Sequence, residues 1–179
     1  MEKFFQRVKT KPRTEDVGSS FNPNISAPSV TNNGPNLEEF PADPGLRRAI
    51  YEYDVNIREK VRRTYLQRGP FQPKNHDFPW SQLGVQKRRF ISTWFNDYKP
   101  WLEYSIAKDA AFCLPCYLFK SVHGRQGGAD VFSGEGFRNW KKKDKFTIHV
   151  GEHDSNHNKC MRACEDLMYH RQLIWMTSI

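Results

Sequence analysis

Apolar residues are spread unevenly along the chain, and their spacing separates a sparse N-terminal stretch from a folded remainder. Residues 1–40 offer only isolated apolar side chains among Asn, Ser, Thr and Gly, together with four of the eleven prolines. Such a stretch buries too little surface to offset the entropy of ordering it, so residues 1–42 are predicted to form a disordered tail. The first ordered element is a helix predicted over 57–68. Ile57, Val61 and Tyr65 repeat at a spacing of four on one face, Asn56 and Glu59 suit a capping box, and Gly69-Pro70 ends the run. Arg58, Lys60, Arg62 and Arg63 fall on the other faces, where solvent is the expected surrounding.

With this helix, a Pro-rich and aromatic connector completes a segment over 43–77. Further on, Trp101-Leu102-Glu103-Tyr104-Ser105 alternates large apolar and polar residues, the period of a strand. A turn at Ala107-Lys108-Asp109 leads back into Ala110-Ala111-Phe112-Cys113, which predicts a β-hairpin whose second strand ends on a cysteine. Residues 124–136 read as a glycine-broken loop. A last helix is predicted from Asp154 or Ser155, running through Cys160, Cys164 and Leu167. The expected fold is small α+β: a zinc-stapled hairpin with following helices over 78–168, then a tail over 169–179.

Composition adds a size limit and a charge. A chain of 179 residues with 37% hydrophobic content has one modest core, of the kind that a staple helps to hold. Its net charge is +8, and residues 1–40 contribute nothing to it, with five basic and five acidic side chains. The remainder holds 23 basic against 15 acidic residues, which points to a polyanionic partner, nucleic acid before membrane. No run of 18 apolar residues exists, so no membrane span is expected, and the charged start Met1-Glu2-Lys3 does not suit a signal peptide. The four cysteines then belong to a reducing compartment, where metal binding or redox chemistry is expected before disulfides.

Cys113-Leu114-Pro115-Cys116 brings two thiols to one point at the end of the hairpin. His149, His153 and His157 follow within nine residues, with Cys160 and Cys164 beyond. Zinc takes four tetrahedral sulfur or nitrogen ligands, which a hairpin end and a helix start can supply two each. A thioredoxin-like redox pair is the alternative for Cys-x-Pro-Cys, but it needs a later proline facing the dithiol, and none follows Pro115. Among the histidines, spacing leaves the choice open. His153 and His157 lie four apart as on a finger helix, His149 and His157 bracket a loop, and Cys160 can substitute.

Several blocks occur in order: Gly69-Pro70-Phe71-Gln72-Pro73, Trp94-Phe95-Asn96-Asp97-Tyr98, Asp109-Ala110-Ala111-Phe112-Cys113, Gly136-Phe137-Arg138-Asn139-Trp140, His149-Val150-Gly151 and Ser155-Asn156-His157. Through them the stretch from about Gly69 to Met168 resembles the TTF-type zinc finger at the N-terminus of hAT-family transposases, and of plant zinc finger MYM-type protein 1-like proteins. The resemblance implies a zinc-dependent DNA-binding module with Cys113, Cys116, His149 and His157 as ligands, and leaves His153 outside the set. Members of that family continue into a catalytic core of RNase H type. The chain ends at Ile179, so the expectation is a module without the catalytic function.

The combined expectation is a nuclear, zinc-dependent DNA-binding module. Arg88, Arg89, Lys141, Lys142, Lys143 and Lys145 are its candidate phosphate contacts, and Lys141 to Lys145 also suit a nuclear-localisation patch. A zinc-stabilised module that binds nuclear proteins is the second expectation. Neither an enzyme, a small-molecule substrate nor a membrane is expected, because no nucleophile–base pair or carboxylate cluster stands out. Trp94, Trp101, Phe137 and Trp140 are expected in the core rather than as base-stacking platforms.

Overall fold

A computed structural model describes residues 40–120 and 131–176, with side chains as far as residue 169. The predicted tail up to residue 39, residues 121–130, which include 124–130 of the glycine-broken loop, and residues 177–179 lie outside the described residues. The centre of the fold is the predicted hairpin. For consistency along the chain, α1 is Arg58–Arg68, β1 Ser81–Leu83, β2 Gln86–Arg88, α2 Trp94–Asp97, β3 Leu102–Ser105 and β4 Ala110–Cys113. Then follow α3 Leu114–Phe119, α4 Asp144–Val150 and α5 Asn156–Met176. Strands β3 and β4 pair antiparallel with Leu102 opposite Cys113 and Ser105 opposite Ala110. Asp109 takes a positive φ of 45° in the turn, a conformation that Asp tolerates better than most residues. On the other side of β4, Ala111 and Phe137 exchange two backbone hydrogen bonds of 2.8 Å. Gly136 makes that approach possible, since a Cβ there would lie 2.6 Å from both Ala110 and the Phe112 ring.

The strand expected from the alternating pattern is present as β3, and all four of its residues are buried, polar ones included. Glu103 is fully buried, and what covers it is remote in sequence. The Arg47 guanidinium grips its carboxylate with two bonds of 2.7 and 2.8 Å, and the Phe71 N–H donates a third at 2.8 Å. A buried carboxylate is tolerable only when its charge is paired and its lone pairs are filled, and both conditions are met here. The same cover brings the end of the expected tail into the fold: Phe40 is only 4% exposed.

Two apolar clusters result. The larger one is aromatic, with Phe90, Trp94, Trp101, Tyr104, Phe137, Trp140 and Phe146 around the hairpin, as expected for Trp94, Trp101, Phe137 and Trp140. The smaller one joins Phe40, Ile50, Tyr53, Val61 and Tyr65 to Leu114, Leu118 and Cys164, so that α1, α3 and α5 share a core. Helix α1 starts one residue later than expected and without the Asn56 cap. Asp54 Oδ1 instead accepts the Asn56 N–H at 2.8 Å, forming a local turn that draws Asn56 away from the helix end. Its arginines are not simply solvated either. Arg58, Arg62 and Arg63 donate to the backbone carbonyls of Tyr53, Leu118 and Leu167 at 2.9, 2.8 and 2.9 Å, which ties α1 to its neighbours.

Candidate metal centre

Four elements converge on the end of the hairpin. Cys113 closes β4, and the chain turns at once into α3, where Leu114-Pro115 begin the helix and Cys116 sits in its first turn. Proline suits such a start because the first helical N–H groups have no carbonyl partner to lose. His149 lies in the last turn of α4, a helix that the residue pattern left unassigned. Gly151 then breaks the chain at φ 61°, a left-handed conformation that favours glycine. Helix α5 follows, and Ser155 Oγ caps it by accepting the Asn158 N–H at 3.1 Å, as expected. His157 stands in the first turn of α5 and is 3% exposed.

The ligand atoms of Cys113, Cys116, His149 and His157 all lie within 4.8 Å of one another. Cys113 Sγ is 3.4 Å from His157 Nδ1, and Cys116 Sγ is 3.6 Å from His149 Nε2 and 3.8 Å from His157 Nδ1. The two imidazole nitrogens are 3.1 Å apart. Ligands at normal zinc bond lengths on a tetrahedron stand about 3.3–3.8 Å from one another, so the three sulfur–nitrogen spacings match a cation at the centre and the 3.1 Å between the imidazoles is slightly short of it. Two sulfurs and two nitrogens, three of the four residues buried, form the donor set of a closed structural site.

His153 is not part of this set. Its ring is 86% exposed and faces Asp154 at 3.3 Å, because it occupies the turn between α4 and α5 rather than the helix face. The spacing rule for a finger helix assumed that His153 and His157 share one helix, and they do not. Cys160 is buried against Cys113 and Cys116 in the aromatic cluster but stands outside the group of four. No disulfide joins any of the four cysteines. The hydrogen bond with Cys113, helped by burial, pushes the Cys116 thiol up to about 11 against the pull of Cys160 and His149. A cation entering the site therefore has to displace a proton from Cys116.

Aromatic rings wall the centre in a way that the residue spacing gave no sign of. Trp101 lies 5.2 Å from both imidazoles, and Phe132 lies 4.4 Å from His149. Such walls exclude water and hold the rings in place.

The six expected phosphate contacts lie in two groups. Arg88 is exposed on β2, and Arg89 just after it rests on the exposed Trp80 ring at 4.6 Å and meets Asp77 at 3.4 Å. Lys141, Lys142 and Lys143 are exposed before α4, and Lys145 is half-buried in its first turn. Lys143 Nζ already bonds Asp97 Oδ2 at 2.9 Å.

Two thiols and two imidazoles, gathered by the hairpin and three helices, form a group that can hold a metal ion, with the donor types found in zinc fingers. Comparison with known proteins agrees at that level. Residues 130–178 match the family described as "ZMYM1/FAM200, RNase-like domain", a stretch that includes His149 and His157 but not the two cysteines. Zinc finger MYM-type protein 5 of Homo sapiens is 29% identical over 154 residues, which cover 73% of this chain and 21% of that protein. The protein of the same name from Macaca fascicularis is 28% identical with the same coverage. The chain thus spans about a fifth of the length of these relatives. No solved structure matches it. These similarities support a relation to ZMYM-type proteins. Among the described residues, no helix is long and apolar enough to cross a membrane.

Proposed function

We propose that the chain is a zinc-dependent DNA-binding module of the nucleus, of the TTF type found at the start of hAT-type transposases, and without catalytic activity of its own. The observation that carries this reading is the gathering of Cys113, Cys116, His149 and His157 within 4.8 Å of one another. This is the set that the TTF resemblance implies, and it differs from the set that helix spacing alone favours. A zinc ion there supplies folding energy and links the hairpin to α4 and α5. The protein side holds it with two thiolates and two neutral imidazoles, oriented by Trp101 and Phe132. The linked scaffold then presents Arg88, Lys141 and Lys142 to phosphate.

The test combines metal content with DNA binding. Purified protein is expected to carry one zinc per chain and to bind random-sequence duplex DNA with an affinity that falls steeply with salt. Chelation is expected to abolish that binding. A zinc-loaded protein that ignores DNA at low salt, yet retains nuclear proteins through residues 78–168, would turn the reading into a protein-interaction module.

A further inference from the structure

The hairpin β1–β2 is held along one strand and open along the other. Ser81 Oγ donates to Asp109 Oδ2 at 3.1 Å, and Leu83 packs against the aromatic cluster, so β1 rests on the core. The turn and β2 stand in solvent: every residue from Gly84 to Arg88 is exposed, and Val85 at the tip is 99% exposed. A Cβ added at Gly84 would meet no atom within 4 Å. Gln82 pairs with Lys87 across the ribbon, so these two exposed side chains share the face that points away from Leu83. The charge of the ribbon has one sign. Lys87, Arg88 and Arg89 follow one another, and no acidic residue occurs between Asp77 and Asp97.

We infer that the β1–β2 ribbon enters the major groove of duplex DNA, turn and β2 first. Two paired strands about 5 Å apart, with their side chains, fit a groove roughly 12 Å wide, whereas the minor groove, roughly 6 Å wide, is too narrow for them. The deep, narrow major groove of an RNA duplex excludes such a ribbon as well. The exposed residues suit the groove floor and its walls. Lys87 can donate to guanine O6 and N7, the Val85 methyl groups can meet a thymine methyl, and Arg88 lies next to the phosphates that flank them. A strand-adding protein or a second copy of the chain fits the ribbon less well, because strands of three residues with Lys87 and Arg88 on the open edge are poor templates for further pairing. The second basic group adjoins the same end of the molecule. Phe90, which ends the return from β2, packs on Trp140 at 5.5 Å, and Trp140 directly precedes Lys141 and Lys142. The inference rests on the DNA-binding reading above and names the element and the groove through which it acts.

The test uses the zinc-loaded full chain and random-sequence duplex DNA treated lightly with dimethyl sulfate. The reagent places methyl groups on guanine N7, in the major groove, and on adenine N3, in the minor groove. The protein-bound fraction is expected to be depleted in 7-methylguanine and not in 3-methyladenine. Val85→Glu, a change at a fully exposed tip, is expected to keep the zinc and the melt, to weaken duplex binding about tenfold, and to lose the depletion. Lys87→Ala is expected to weaken binding to a similar degree, again with zinc and melt unchanged. Wild-type affinity in both variants would overturn the ribbon and leave the DNA-binding reading standing. So would a bound fraction depleted in 3-methyladenine instead, or equal affinity for an RNA duplex of the same sequences. A wild-type chain that is dimeric in solution, and monomeric as Val85→Glu, would make the ribbon an interface between copies and overturn it too. A zinc-loaded wild-type chain that binds no duplex at low salt would remove the DNA-binding reading itself and the ribbon's role with it.

Discussion

At the scale of single residues, the centre divides the histidines by where the chain breaks. Gly151 ends α4 just after His149, and Ser155 starts α5 just before His157, so the two rings approach from separate helices. His153 falls in the gap and points to solvent. His149→Ala is therefore expected to remove tight zinc binding, measured by competition with a chromophoric chelator, whereas His153→Ala is expected to leave it within about twofold of wild type. The reverse result would mean that the finger-helix spacing describes the bound state. Cys160→Ala should keep one zinc per chain, because Cys160 packs beside the thiols without joining the four. The cysteine pair was legible in the sequence because Cys-x-x-Cys after a strand is a local signal. Spacing alone left the histidine choice open, since three rings lie within nine residues, and it was the resemblance of the His149-Val150-Gly151 and Ser155-Asn156-His157 blocks that named His149 and His157. Spacing could not show that α4 exists, and α4 is what carries His149.

At the scale of elements, the hairpin β3–β4 was readable from its alternation and turn, but its surroundings were not. Alternation says that one face is polar and cannot say that a distant arginine will bury that face. Arg47 lies 56 residues before Glu103, and their side chains are 1% and 0% exposed. The short hairpin β1–β2 escaped notice for the opposite reason: its strands are mostly polar and exposed, and only Gly84 at φ 70° marks the turn. Burial decides the energetics of the two kinds of ion pair. Glu103→Ala strands a buried guanidinium and is expected to cost roughly 3–5 kcal/mol in urea unfolding. Glu59→Ala removes a partner that is 66% exposed from the helix pair with Arg63, and is expected to cost less than about 0.5 kcal/mol. Equal costs would mean that the Arg47–Glu103 pair does not tie the segment after Phe40 to the hairpin.

At the scale of the whole molecule, the candidate centre joins regions that sequence similarity separates. The cysteines come from the hairpin and the start of α3, while the histidines come from the stretch that matches the RNase-like family. A fragment restricted to 130–178 is accordingly expected to lack tight zinc binding. Structural zinc contributes about 10–16 kcal/mol in small domains. Whole-domain stability is about 5–15 kcal/mol. Losing the ion should thus unfold the region around the hairpin rather than loosen it locally, and Cys113→Ala is expected to lose both the zinc and the cooperative melt. Charge substitutions should behave differently, because they leave the scaffold intact. Each phosphate-contacting lysine releases condensed counterion, so replacing one lowers the slope of log affinity against log salt by about one unit. Lys142 is exposed before α4, whereas Lys143 is held by Asp97 at 2.9 Å. Lys142→Gln should therefore lower the slope by close to that unit on any DNA sequence, and Lys143→Gln should lower it by clearly less. The measurement is DNA affinity across a salt series, with the zinc content and melt of each variant checked first. If both variants keep the wild-type slope, Lys142 and Lys143 are not phosphate contacts, and the proposed phosphate surface has to be sought at the other candidates, Lys141, Lys145, Arg88 and Arg89.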